Sequence, residues 1–212
     1  MRRRHHHHHL ALLACLLVLA SAAASPAKAK PPSASAVAPA IAVDFVRRSC
    51  RSTRYPRVCE STLVPCAPAV GRSPRRLARA ALVVGADRAH NCSAYIRAAG
   101  DEAAQSKAGK GAMEDCAELA RDAEERLRRS AAEMERMGRA GTPRFAWSLA
   151  NVQTWASAAL TDTDTCLDSL AQARGEVDGG AVKRRVVAVA EATSNALALV
   201  NRLDPAPHRL LL

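Results

Sequence analysis

Small or apolar residues recur three and four positions apart along most of this chain, with charged residues between them. That spacing follows one face of an α-helix. Four long runs carry it. The first opens at Ser73-Pro74, a capping residue with proline at the first helical position. Its stripe is Ala78, Leu82, Gly85, Ala89, Cys92, Ile96 and Ala99. Residues 100–111, with three glycines, are expected to hold the helix end and a loop. The second run goes from about Ala112 to Met137, with Cys116, Leu119, Ala123, Leu127, Ser130, Met134 and Met137 on its inner side. Gly138, Gly141 and Pro143 break it. The third, about Arg144 to Ala173, places Leu149, Val152, Ala156, Ala159, Thr163, Cys166 and Leu170 on one side and ends in "RGEVDGG". The fourth, about Ala181 to Leu203, carries Val182, Val186, Val189, Thr193, Ala196, Val200 and Leu203 before "DPAP". Four such helices joined by short loops bury their stripes most simply as an all-α, up-down-up-down four-helix bundle.

The stripes are rich in alanine. Small residues let helices approach closely but bury little area each, and at about 25 cal/mol per Å² such a core is thin. Covalent staples then matter more.

The region ahead of the bundle is different. A basic start, an apolar run from Leu10 to Ala20 and small residues at Ala22-Ala23-Ala24 read as a secretory signal peptide over 1–24. The apolar run is too short for a membrane span, and no later segment reaches about 18 uninterrupted apolar residues. Residues 25–40, rich in Pro, Ala and Ser, read as a flexible linker. The folded domain is then expected over 41–207, as a hairpin (41–72) and a bundle (73–204), with a tail at 208–212. The mature protein is expected to be exported, with no membrane partner.

Loss of Arg2, Arg3 and Arg4 with the signal leaves twenty-eight basic residues against twenty acidic, a net charge of about +8. Such a surface attracts polyanions. No nucleic-acid motif is present, so an anionic wall polysaccharide or an acidic protein surface is the expected class. Five of the seven histidines leave with the signal, which leaves His90 and His208. With two histidines, no nucleophile motif and no metal-ligand cluster, the chain is expected to be neither an enzyme nor a holder of metals or cofactors.

Six cysteines remain: Cys50, Cys59, Cys66, Cys92, Cys116 and Cys166. An even number in an exported chain favours disulfides. Cys116 and Cys166 lie on the inner stripes of adjacent antiparallel helices. A bridge there closes a loop of about 50 residues and stabilises by roughly 3–4 kcal/mol in the loop-entropy model. Cys50 and Cys59 flank "RSTRYPRV". A continuous helix would hold them about 13 Å apart, but a disulfide needs Cα atoms within about 7 Å. The chain must therefore reverse between them, and Pro56 places the break by disfavouring a helical Tyr55. Short helical turns on either side would make a disulfide-closed helical hairpin. Metal and redox readings fail for want of further ligands and of a C-x-x-C motif. Cys66 and Cys92 remain open between a bridge and two thiols. Asn91-Cys92-Ser93 is formally a glycosylation sequon, placed in mid-helix.

Four segments resemble the plant invertase and pectin methylesterase inhibitor family. "CRSTRYPRVC" (50–59) is similar to its C-x-x-T-x-Y-P-x-x-C opening. "AMEDCAELARDAEERL" (112–127), "NVQTWASAALTDTDTCLDSL" (151–170) and "SNALALV" (194–200) are similar to its second-, third- and fourth-helix motifs. The order and spacing agree over about residues 44 to 205. The resemblance implies a four-helix bundle with an N-terminal hairpin, disulfides Cys50–Cys59 and Cys116–Cys166, and no catalysis. It implies one-to-one binding that occludes the cleft of a target enzyme. Family-like segments also occur as pro-regions ahead of an esterase domain; this chain resembles the free inhibitor. The third-helix motif is closest to pectin methylesterase inhibitors, so that enzyme is the expected partner, with weak binding to anionic pectin beside it. Acid invertase is the alternative, because Pro143-Arg144-Phe145 is close to the Pro-Lys-Phe of invertase inhibitors. The competing reading of that tripeptide is a helix start with Phe145 packed inward.

The resemblance also implies an interface. Glu118, Asp122 and Glu125, spaced four and three, share one helix face beside the Cys116 stripe. Thr165 and Asp168 flank Cys166. These five positions match residues by which family members contact basic residues around the esterase cleft, although Glu125 stands where the family has an aspartate. The acids are equally able to pair with Arg121, Arg126 or Arg129 on their own helix.

Overall fold

The computed structural model describes residues 34–103, 106–173 and 180–204. The expected signal peptide, the linker as far as residue 33, the loop at 174–179 and the tail at 208–212 lie outside the described residues. The elements are α1 (Ala34–Cys50), α2 (Pro56–Leu63), a 3-10 turn (Val64–Cys66), α3 (Ala67–Val70), α4 (Pro74–Ala103), α5 (Lys107–Arg136), α6 (Pro143–Gln172) and α7 (Gly180–Asn201).

Helices α4 to α7 form the bundle. Each packs on its neighbour in sequence, and α4 closes the ring against α7. The inner stripes meet in one core, where Leu82, Ile96, Met113, Leu127, Met134 and Val152 are the larger fully buried side chains. Alanine fills much of the rest, which allows close approach. At Gly85 a Cβ would come within 3.3 Å of Leu127 Cδ1, tighter than ordinary van der Waals contact, so α4 and α5 approach closely there. The α5–α6 turn uses Gly138 at φ 76° and Gly141 at φ 83°, a region that glycine adopts without strain.

Two boundaries differ from the sequence reading. Helix α1 begins at Ala34, inside the stretch read as linker over 25–40, and runs for 17 residues in place of a short turn. Alanine has the highest helix propensity, and it outweighs the prolines and serines that signal a linker. Pro39 sits inside α1, where it lacks the N–H for one backbone hydrogen bond and its ring crowds the preceding turn. Helix α5 begins at Lys107 in place of about Ala112, because the Ser106 side chain accepts the Gly109 N–H at 3.0 Å. That cap fixes the first turn, so Gly109 and Gly111 fall inside the helix.

The hairpin is α1 with α2 and α3. Cys50 and Cys59 are bridged, with Cα atoms 5.5 Å apart, and both are buried. The turn docks on α7: Tyr55 donates its N–H to Asn195 Oδ1 at 3.0 Å, and Asn195 Nδ2 donates to the Tyr55 carbonyl at 3.0 Å. Cys66 and Cys92 are free thiols. Cys92 lies in the core, where burial pushes its pKa up to about 11. Among the described residues, no helix is long and apolar enough to cross a membrane.

Candidate functional site

The α5–α6 pair carries the candidate surface. Cys116 and Cys166 are bridged, with Cα atoms 4.7 Å apart and both side chains buried. The bridge fixes the register of two antiparallel helices. Residues on their outer sides then make a continuous surface whose layout follows from helix rotation, about 100° per residue.

Two residues past Cys116 is a rotation of roughly 200°, so Glu118 points out of the bundle. It lines a shallow groove toward α4 with Arg97, Glu114, Ala117 and Arg121. Asp122 is half-buried and leans toward α6, close enough to Asp162 that its charge acts on that carboxyl. Glu125 is exposed, on the side of Glu118 away from Asp122. On α6, Thr165 and Asp168 are both exposed. The Thr165 hydroxyl donates to the Thr161 carbonyl of its own helix at 2.9 Å, which leaves its oxygen lone pairs facing solvent. The five positions thus lie on the outer side of the α5–α6 pair, not immediately beside the disulfide.

The arginines divide their work. Arg121 reaches Glu118 at 3.2 Å and Asp122 at 3.8 Å. Arg126 crosses to α6, where its Nε donates to Asp162 Oδ2 at 2.8 Å. Arg129 lies over the Trp155 ring, 4.5 Å from its centre. Glu125 and Asp168 have no ion pair among the described residues. Arg121 and, across the groove, Arg97 thus face Glu114, Glu118, Asp122, Glu125 and Asp168, so acid outnumbers base on this side of a basic protein. The exposed Glu118–Arg121 pair contributes little to stability and is easily exchanged for another partner. Burial pushes the Asp162 carboxyl up, against the pull of Arg126, and Asp122 pushes it the same way.

Three features here were not legible in the sequence. The Arg126–Asp162 pair joins the two helices. The Arg129–Trp155 stack extends the surface away from the disulfide. Glu133 is buried at 4% exposure and accepts from Ser148 Oγ at 2.5 Å. No helical pattern singles out a charged residue on an inner face, although an inward serine opposite it is a weak signal. The Ser148 hydroxyl, with Arg136 and Arg144 nearby, holds the Glu133 carboxyl below the usual carboxylate range. A carboxyl with a folded pKa below its unfolded value stabilises above the unfolded pKa, and that stability is lost as pH falls through the folded one. Glu133→Gln is expected to lower the melting temperature near neutrality and to flatten its fall on acidification. Melting curves from pH 7 to pH 3 check this; a variant slope equal to the parent's would assign the acid loss to other groups.

The tripeptide Pro143-Arg144-Phe145 forms the start of α6. Thr142 caps the helix by accepting the Phe145 N–H at 3.2 Å, and Phe145 is buried. Arg144 is exposed, 3.7 Å from Glu133. This is the inward-packed helix start.

Known proteins share this arrangement. The sequence pattern described as plant invertase/pectin methylesterase inhibitor matches residues 44–199. Pectinesterase inhibitor 11 of Arabidopsis thaliana is 39% identical over 165 residues, which cover 76% of this chain and 80% of that protein. The 21 kDa protein of Daucus carota is 38% identical over 170 residues, covering 79% and 87%. Among solved structures, mutant form A of a pectin methylesterase inhibitor from Arabidopsis superposes with a TM-score of 0.57 at 21% identity, covering 72% of this chain and 92% of that one. The structural likeness carries the fold; the sequence match, over most of the chain, establishes that this protein belongs to the plant invertase/pectin methylesterase inhibitor family.

Proposed function

We propose that this protein is a secreted inhibitor of pectin methylesterase that binds the enzyme one to one through the outer side of the α5–α6 pair and blocks its pectin-binding cleft. The observation that carries the reading is the acidic surface itself. Glu118, Asp122, Glu125 and Asp168 lie on one side of a basic protein, where Arg121 and Arg97 leave acid in excess. They are fixed by a disulfide and by the Arg126–Asp162 pair, so little side-chain or helix motion has to be frozen on binding. A rigid acidic face complements a basic cleft rim and speeds encounter with it. The names of the sequence relatives point to the esterase. For acid invertase, the inward packing of Phe145 removes the feature that pointed to it. With residues 1–24 read as an export signal, the proposed site of action is the cell wall, where the expected effect is to limit pectin de-esterification.

The test is a mixing assay of the purified, oxidised protein against pectin methylesterase and, separately, acid invertase. Inhibition of the esterase alone is expected. Asp122→Arg puts a positive charge at the centre of the acidic face and is expected to weaken esterase inhibition by about tenfold or more through like-charge repulsion. Unchanged inhibition by a correctly folded Asp122→Arg protein would place the contact elsewhere.

A further inference from the structure

The other end of the α5–α6 pair carries the opposite charge. The chain turns there between Arg136 and Pro143, and Arg75, Arg136, Arg139 and Arg144 lie at or beside this turn, with Arg144 over an exposed ring. Trp147 is 58% exposed; among the described residues, only it and Ile41 are large hydrophobic side chains left in solvent. The Arg144 guanidinium lies 5.4 Å from the centre of the Trp147 ring. Glu133 anchors Arg144 from beneath and also holds Arg136 at 3.3 Å. Arg75, from α4, donates to the Gly138 carbonyl and lies over the Phe145 ring. Arg139 is exposed and has no ion pair among the described residues. Nearby, Glu135 is already held by Arg79. Arg136 and Arg144 thus share one buried carboxylate, and Arg75 and Arg139 add two further positive charges at this turn.

We propose that this end of the bundle is a second binding site, for a chain of uronic acids. Trp147 offers a flat apolar face to the C–H face of a sugar ring. The arginines offer planar donor pairs that match carboxylates bidentately. A polyuronate presents both features in every unit: a ring with a C–H face and a carboxylate beside it. The choice of this anion rests on the function proposed above, because a pectin esterase converts methyl esters to free carboxylates where the inhibitor works. Along α5, Arg136 lies eighteen residues from Glu118 and eleven from Glu125, roughly 27 and 16 Å. The site is thus offset along the helix pair from the acidic surface. Such a protein would stay near freshly de-esterified pectin while its other end meets the esterase.

Binding is read without any esterase, so this site and the proposed inhibition fail separately. An unesterified galacturonic acid oligomer of about ten units is titrated into the oxidised protein by calorimetry at low salt, beside its fully methyl-esterified form. The parent is expected to bind the unesterified oligomer and not the ester. Trp147→Ala and Arg139→Ser are each expected to weaken binding by about fivefold or more, the scale of one stacking or charge contact. Arg184→Ser on α7, an equal charge loss at the opposite end, is expected to stay within about twofold. Inhibition of pectin methylesterase by Trp147→Ala and Arg139→Ser is expected to match the parent. Equal loss from Arg184→Ser would reduce the effect to diffuse charge and overturn the site. Unchanged binding by Trp147→Ala, or equal binding of the ester, would overturn the stacking and carboxylate roles. Equally tight, Trp147-dependent binding of a single-stranded DNA oligomer of matched charge would overturn the polyuronate assignment. Loss of esterase inhibition in either variant would make the patch part of the enzyme contact.

Discussion

Replacing Cys116 and Cys166 together by alanine is expected to remove about 4 kcal/mol from the stability of the bundle, the loop-entropy value for a closed loop of this size, and to weaken esterase inhibition with it. The bridge spans 50 residues, so its loss frees a large part of the unfolded chain. Two reasons make this bundle sensitive. Its core leans on alanine, which buries little area per residue. The same bridge also holds the two helices that carry Glu118, Asp122, Glu125, Thr165 and Asp168. Both sulfurs sit in the core, so alanine leaves small voids but no orphaned polar group. Urea unfolding of parent and double variant, followed by helical circular dichroism, checks the stability. Inhibition assays at a temperature where both are folded check the geometry. A variant within about 1 kcal/mol of the parent would show that packing of α5 on α6 is sufficient without the bridge. The Cys50–Cys59 pair closes a loop of nine residues, and its removal is expected to cost less, with the loss confined to the hairpin.

Asn195→Leu is expected to release the hairpin turn from the bundle. Asn195 is buried, and its amide pairs with both peptide groups of Tyr55. A leucine fills much the same space but leaves the Tyr55 N–H without a partner at a half-buried site, while the Tyr55 carbonyl keeps only the Cys59 N–H at 3.0 Å. One unpaired N–H of this kind costs about 1–3 kcal/mol. The turn would meet that cost by swinging out to water, which exposes the α2 face that packs on α4 and α7. Hydrogen exchange at the Tyr55 amide reads this directly: fast exchange is expected in Asn195→Leu and slow exchange in the parent. Equal protection in both proteins would mean that the disulfide and apolar packing hold the turn without Asn195.

The bundle was legible because its information is periodic and local. Each of the four stripes named from spacing alone is buried nearly throughout; Leu119 on the second, Ala99 on the first and Leu203 on the fourth are only half-buried, toward the rim or helix ends. Boundaries were less legible where opposing signals meet. Alanine against proline decided the start of α1 at Ala34, and a serine cap against two glycines decided the start of α5 at Lys107. The candidate surface was half legible. Spacing put Glu118, Asp122 and Glu125 on one face, but their partners depend on which helix stands beside them. Arg126 could pair along its own helix, and it reaches across to Asp162 instead.

By itself the sequence determined the helical class, the four inner faces, the chain reversal between Cys50 and Cys59, and the family. These follow from the helix repeat, from proline geometry and from motifs in order, none of which needs a neighbour to be known. Only the tertiary structure decided that Cys66 and Cys92 stay apart as thiols, that Asn195 clasps the hairpin turn, and that Glu133 lies buried under Ser148 with Arg136 and Arg144 around it. It also separated an acidic surface reaching to the middle of α5 from Trp147 with Arg144 over its ring at the α5–α6 turn. The physical reason is common to these cases. Pairing between polar groups is set by distances between elements far apart in sequence, and those distances exist only after the alanine-rich faces have packed.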